Sequence, residues 1–356
     1  LRCLVGSEMC IRDRKTAFQK LQNWTKPAAK KRTIKILSID GGGIRGVIPA
    51  MVLAKIEEIT KTPIAHLFDL IAGTSTGGIL ALGLAKPDKK GSLQPAYRAS
   101  DWLHIYEEEG NEIFNQSMWE RVRSMGTWWE RKYHAQGIEK VLEKRLGKAR
   151  LKDAITDVLI TSYEMQHQNP CFFKSRYAKE QPEFDFYMKQ IARATSAAPT
   201  YFEPARLKVL HAKEPFVLID GGVVANNPAL CAFAEAKNMF PDADDFLLVS
   251  LGTGEMSRQY DYEQVKKWGL GGWIQPMFSL WFHGLNITVD YQLKQLLPNK
   301  NGVQQYYRFQ TILPRESENL DNTNLDNIQT LKEITYHNIL EDMKGEINEL
   351  CEQLLK

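Results

Sequence analysis

Apolar positions along the chain fall into two patterns, short unbroken runs and helical spacing. The Ile-rich run Thr33 to Ile39 is stopped by Asp40 and three glycines, which reads as a buried strand ending in a tight loop. From Val47 to Thr60 the apolar residues Ile48, Met51, Val52, Ile56 and Ile59 recur at helical spacing, and Pro49 suits a first turn. A second apolar strand is expected at Leu67 to Ala72. It runs into Gly73-Thr74-Ser75-Thr76-Gly77, after which Gly77 to Ala85 continues as a small-residue apolar helix that must pack closely on the sheet. Two strand-and-helix units in succession predict an α/β fold, a single three-layer domain with a mostly parallel central sheet and helices on both faces. Further strands are expected at Asp157 to Ser162, Phe216 to Ile219, Phe246 to Leu251 and Tyr306 to Ile312. Helices are expected near 97–114, 137–146, 228–239 and 325–354. The chain carries no internal repeat and no low-complexity linker.

With 356 residues and 43% hydrophobic content, one large core is within reach. Leu1 to Arg14 begins without Met and resembles translated adapter sequence, so residues 1–14 read as a non-native leader. Residues 15–32 read as a polar lead, 33–312 as the main domain, and 313–356 as a C-terminal helical segment packing on that same domain. Lys and Arg exceed Asp and Glu by 46 to 43, a balance that gives no global field for binding nucleic acid. Five cysteines, odd in number and without metal-ligand spacing, predict free thiols in a reducing compartment. No stretch approaches the roughly 20 apolar residues of a membrane span, so a cytoplasmic location is expected, with contact at a membrane periphery left open.

The run Gly73-Thr74-Ser75-Thr76-Gly77 fits Gly-x-Ser-x-Gly, the nucleophile elbow in which a sharp turn between strand and helix exposes a Ser hydroxyl. A chain of this length supplies the pattern by chance with a probability of roughly 0.1. Its placement between an expected strand and an expected helix counts for more, because the helix N-terminus stabilises negative charge developing near Ser75.

A Ser nucleophile needs a base. The seven histidines are His66, His104, His134, His167, His211, His283 and His337, and none follows a strand end with turn glycines. Asp220 ends the apolar run Phe216-Val217-Leu218-Ile219 and precedes Gly221-Gly222, which places its carboxylate at the carboxyl edge of the sheet. An Asp in a tight glycine turn is the structural alternative. A free Asp is a feeble base with a pKa near 3.9, so the role requires burial against Ser75.

The loop Asp40-Gly41-Gly42-Gly43-Ile44-Arg45-Gly46 suits an oxyanion, since successive glycines present backbone N–H groups and the following helix adds its positive end. Arg45 either assists or holds the loop. Gly41, Gly43 and Gly46 also satisfy the dinucleotide pattern Gly-x-Gly-x-x-Gly. That pattern expects an acidic residue at the end of the second strand. Here the strand ends in Ala72-Gly73-Thr74-Ser75, and Asp69 falls inside it.

Taken together, Asp40 to Gly46, Gly73 to Gly78, Ala194-Thr195-Ser196-Ala197-Ala198-Pro199-Thr200-Tyr201-Phe202, and Asp220-Gly221-Gly222 through Asn226-Asn227-Pro228 resemble the four ordered blocks of the patatin-like phospholipases, in the form of a bacterial patatin-like acyl hydrolase. The resemblance spans roughly residues 33 to 312. It implies a lipid acyl hydrolase of phospholipase A type with Ser75 as nucleophile and Asp220 as base. It also implies Gly73 and Gly77 as the elbow glycines, Gly41, Gly42 and Gly43 as the oxyanion loop with Arg45 beside it, no catalytic His, no metal and no cofactor. The partner implied is a lipid substrate at a membrane surface. A nucleotide-binding protein built on the Gly41 to Gly46 loop and a lipid-binding module without turnover are the competing readings.

The segment Trp268 to Phe282 is aromatic and broken by Gly and Pro. It reads either as core packing or as a flap or interfacial surface, since Trp suits the boundary of water and lipid. Trp128-Trp129 carries the same two readings. Basic runs at Lys26 to Arg32 and Lys140 to Lys152 read as solvated faces or as contacts for anionic head groups.

Overall fold

The computed structural model describes residues 32–113, 135–208, 214–256 and 260–356. The leader, all of the polar lead but Arg32, and Trp128-Trp129 lie outside the described residues.

The first strand, β1 (Ile34–Ile39), leads through a 3-10 turn at Gly43–Gly46 into α1 (Val47–Thr60). Next come β2 (Leu70–Gly73), α2 (Thr76–Ala85), α3 (Ala99–Ile113), α4 (Gln136–Leu146), β3 (Asp157–Glu164) and β4 (Asn169–Lys174). After α5 (Met188–Thr195) the chain makes β5 (Ala205–Leu207), β6 (Phe216–Asp220), α6 (Ala229–Met239), β7 (Phe246–Leu251) and β8 (Glu255–Met256). A long helix α7 (Leu270–Leu296) precedes β9 (Tyr306–Phe309), β10 (Ile312–Leu313), α8 (Leu325–Thr335) and α9 (Lys344–Leu355).

The central sheet runs β5-β6-β3-β2-β1-β7-β9, with β4 on β3 outside that path. Pairings β3-β2, β2-β1, β1-β7 and β7-β9 are parallel, whereas β4 and β6 pair antiparallel with β3, and β5 with β6. The fold is therefore the expected α/β arrangement. Strand alternation feeds two cores, as a period of two requires. Ile34 and Ile36 of β1 and Phe246 and Leu248 of β7 join Ala232, Ala236 and Leu293 on one face. Leu37, Ile39, Leu247 and Val249 join α1, α2 and the C-terminal helices on the other.

Several elements depart from the sequence expectation. The second strand starts at Leu70 rather than Leu67, because Pro63 opens a helical turn over Ile64–Leu67. Tyr306 to Ile312 splits into β9 and β10, the latter pairing with β8. The C-terminal helices are separated by a π-helical stretch, Tyr336–Glu341. Among the cations of the run Lys140 to Lys152, Lys144 and Arg145 pair with Glu109, and Arg150 and Lys152 with Asp185, so two carboxylates within the fold balance two of those four charges.

One consequence of the pairing positions the site. Leu159 and Ile160 of β3 pair with β4 on one side and β2 on the other, while Ser162 and Glu164 pair with β4 on one side and β6 on the other. β2 and β6 thus share a single edge of β3 and approach each other end to end, β2 closing at Gly73 opposite Ile160 and β6 at Asp220 opposite Ser162.

Candidate active site

Ser75 sits at the turn where β2 gives way to α2, with φ 53° and ψ −123°. A non-Gly residue in such a conformation carries strain that the surroundings must hold. Two contacts do so. The Ser75 amide donates to Thr195 Oγ1 at 2.8 Å, and the Thr74 hydroxyl donates to the Ala225 carbonyl at 2.6 Å and meets Thr161 Oγ1 at 2.7 Å. Thr74, Thr161 and Thr195 are all fully buried, so these bonds are shielded from competing water. The turn also demands Gly77, since a Cβ there would stand 2.2 Å from the Ile39 carbonyl oxygen.

Asp220 is 6% exposed, with its carboxylate accepting the Gly222 amide at 2.7 Å and facing Ser75 closely enough for the Ser75 side chain to act on its pKa. Burial raises its pKa from 3.8 to about 6, against the opposing pull of the Ser75 side chain and the Gly222 amide. The expectation that Asp220 lies at the carboxyl edge of the sheet describes the place but not the cause. Its strand runs antiparallel and delivers it to the end of β2 from the far side.

The glycine loop closes the third side. Gly41 lies so near that a Cβ on it would come 3.3 Å from Ser75 Cβ. Its carbonyl accepts Thr253 Oγ1 at 2.7 Å and its amide donates to the Asn226 carbonyl at 3.0 Å. The Gly41 amide is therefore engaged, whereas the amides of Gly42 and Gly43 meet no acceptor among the described residues. Gly43 has φ +59°, and a Cβ on it would stand 2.2 Å from the Leu320 carbonyl oxygen, so only glycine fits. Arg45 is 7% exposed, donates Nε to the Gly42 carbonyl at 3.2 Å, and has its pKa lowered by burial to about 10. It remains charged at neutral pH and braces the loop.

These parts line one cavity of about 480 Å³, within the range of small-molecule sites. Ile44, Ile79, Ile113, Ile138 and Phe202 give it an apolar side; Thr253, Asn286 and Asn319 a polar one. His283 on α7 also lines it, a residue that the sequence did not single out. Four other histidines are engaged elsewhere, His66 with the Leu93 carbonyl, His104 with Glu107, His167 with Glu164 and His337 with Glu341. His134 and His211 lie outside the described residues. Among the described residues no group of three or more His, Cys, Asp or Glu is placed to hold a metal ion. Cys171, Cys231 and Cys351 are free thiols; Cys3 and Cys10 are outside the described residues.

The dinucleotide reading of Gly41 to Gly46 fails on geometry. Asp69 precedes β2 rather than lying within it, and its carboxylate accepts the Lys35 amide at 2.9 Å beside the amino ends of the parallel strands. The glycine loop sits at their carboxyl ends.

A family model described as "Patatin-like phospholipase" matches residues 37–233, a span that contains the glycine loop, the Ser75 turn and Asp220. The chain belongs to this family. Patatin-like protein 2 of Arabidopsis thaliana is 34% identical over 342 residues, covering 86% of this chain and 82% of the relative. Patatin-15 of Solanum tuberosum is 30% identical, covering 92% and 89%. A third relative, "Probable inactive patatin-3-Kuras 1" of the same plant, is 29% identical, covering 91% of each. These relatives are plant proteins, and the expectation of a bacterial member finds no support in them. Among solved structures, human GIVD cytosolic phospholipase A2 aligns over 98% of this chain at 10% identity and a TM-score of 0.43, a likeness too loose to carry an argument. Because one patatin relative is named as inactive, membership of the patatin-like phospholipases leaves turnover to be argued from the site itself.

Among the described residues no helix is long and apolar enough to cross a membrane.

Proposed function

We propose that this patatin-like chain is a serine lipid acyl hydrolase of phospholipase A type, which cleaves fatty acyl esters of membrane lipids through Ser75 and Asp220. The observation that carries the reading is a buried carboxylate with a raised pKa against the hydroxyl of a Ser held in an elbow conformation. Perturbed pKa values of this kind mark sites of proton transfer.

In the proposed cycle the Ser75 oxygen attacks the ester carbonyl carbon while its proton passes to the Asp220 carboxylate. The carbonyl oxygen becomes an oxyanion held by the free amides of Gly42 and Gly43, with the Gly41 amide serving to anchor the loop on Asn226. Collapse of the tetrahedral intermediate expels the alcohol portion of the lipid, which takes the proton from Asp220. Water, deprotonated by Asp220, then attacks the acyl-serine; the second intermediate collapses with Ser75 Oγ as leaving group, which takes the proton back from Asp220 as the fatty acid is released. The apolar side of the cavity, around Ile79, Ile113 and Ile138, suits the acyl chain. No step requires a histidine, a metal or a cofactor.

Rates on phospholipid measured for wild type, Ser75→Ala, Asp220→Asn and His283→Gln test the assignment. Loss on the order of 10³-fold or more in each of the first two variants is expected, with His283→Gln near wild type. Unchanged hydrolysis in Ser75→Ala would sink the proposal, and loss confined to Ser75→Ala and His283→Gln would transfer the base to His283.

A further inference from the structure

Residues 268–289 contain no Asp, Glu, Lys or Arg, although most of this segment forms α7 at the protein surface. Its two sides serve different surroundings. Asn286, Val289 and Leu293 turn inward, Asn286 accepting from Asn226 at 3.2 Å and Leu293 fully buried, while Phe282 stands against Gly222 in the cavity wall. Trp273, Met277, Leu280, Trp281, Ile287 and Tyr291 follow one another at helical steps and are 41%, 46%, 39%, 52%, 47% and 66% exposed. Residues 273 to 291 would extend roughly 27 Å at 1.5 Å per residue. An apolar stripe of that length on a surface helix, free of charged residues up to Val289, is an interaction surface rather than ordinary scatter of single residues.

We infer that the outer stripe of α7 seats the protein on the surface of a lipid bilayer and sets the mouth of the Ser75 cavity against it. The inference rests on the lipid acyl hydrolase reading for its purpose, but not for its observation. The occupant follows from continuity: the helix that shows the stripe outward also supplies Phe282, His283 and Asn286 to the cavity wall. A surface that docks there lies beside the cavity, and a substrate in a bilayer has to enter from beside it. The composition agrees, because Trp and Tyr concentrate where water meets lipid. Lys267 lies exposed just ahead of the charge-free segment, whereas Lys266 pairs with Glu263 and Lys294 with Asp290, the residue that ends the segment.

The test uses the full chain, phosphatidylcholine vesicles and a water-soluble short-chain ester. Trp281→Gln combined with Met277→Gln is expected to lower vesicle binding in a sedimentation assay by at least about ten-fold, the loss that follows from exposing two apolar side chains to water. Hydrolysis of vesicle phospholipid is expected to fall in parallel, with hydrolysis of the soluble ester within about two-fold of wild type. Brominated phosphatidylcholine should quench wild-type tryptophan fluorescence, and Trp281→Phe should bind vesicles normally with less quenching. Wild-type binding that the double variant retains would overturn the inference, as would a wild type that fails to bind vesicles or a concentration-dependent dimer abolished by the same substitutions. If vesicle binding behaves as expected while neither ester is hydrolysed, the docking surface stands and the proposed activity fails.

Discussion

Ser75 and Asp220 meet because β2 and β6 run toward each other along the same edge of β3, leaving Thr161 between their closing pairs Gly73-Ile160 and Asp220-Ser162. Neither strand alone brings the pair together. Thr161 Oγ1 meets Thr74 Oγ1 at 2.7 Å, and Thr74 reaches across to the Ala225 carbonyl just beyond Asp220. This buried link spans the gap between the two strand ends and ties the Ser75 turn to the chain that follows Asp220. Thr161→Val is expected to lower kcat on a soluble ester by about ten-fold with little change in KM, since small misplacements of reacting groups are costly. Thr161→Ser, which keeps the hydroxyl, should recover most of the rate. A loss in Thr161→Val that appears only as a lower melting temperature would assign the link to stability alone.

The raised pKa of Asp220 has two measurable consequences. Only the ionised carboxylate accepts the Ser75 proton, so kcat/KM should rise with pH through about 6 and then level. For folding, the native state holds the Asp220 proton more tightly than the unfolded chain does. Wild type therefore loses stability relative to Asp220→Asn as pH rises from 3.8 toward about 6, by ~3 kcal/mol for a shift of about two units. Thermal melts at pH 4 and pH 7.5 check the sign. Asp220→Asn should gain on wild type at the higher pH, and the difference should shrink at the lower.

Close approach at Gly77 predicts a large effect from one methyl group. A Cβ there meets the backbone carbonyls of Ile39 and Asp40 at 2.2 Å and 2.7 Å, and backbone cannot swing aside as a side chain can. Gly77→Ala should cost about 3 kcal/mol or more, or abolish soluble expression. Gly284, inside α7, has nothing within 4 Å of a Cβ, and Gly284→Ala should stabilise by about 0.5–1 kcal/mol. Denaturant melts of the pair separate the two cases.

Much of this arrangement is legible in the sequence where the signal is local. The run Thr33 to Ile39, the Gly73 to Gly77 turn and Asp220 ahead of Gly221-Gly222 each mark a strand end in consecutive residues, and the structure places strand ends there. The direction of β6 is not local, because Phe216 to Ile219 reads the same whether its neighbour runs parallel or antiparallel. Thr195 lies in a block noticed for its resemblance, but its bond to the Ser75 amide joins residues 120 positions apart and leaves no pattern in either segment. In α7 the glycines and Pro276 suggest a broken flap. Apolar residues on both sides also hide the helical period that would reveal it, and burial of the inner side against the sheet overrides the weak local preference. The same two-sided pattern left core packing and interfacial surface as rival readings of Trp268 to Phe282; Trp273, Met277, Leu280 and Trp281 within it are exposed, and the helix packs on the core farther along, at Val289 and Leu293.

The chemistry at Ser75 is tested most directly by treating the purified protein with a fluorophosphonate and locating the adduct by peptide mass spectrometry. The account predicts one adduct on Ser75, formed faster as pH rises through about 6 and strongly slowed in Asp220→Asn. An unlabelled Ser75, or labelling of Ser75 at the same rate in Asp220→Asn as in wild type, would contradict it.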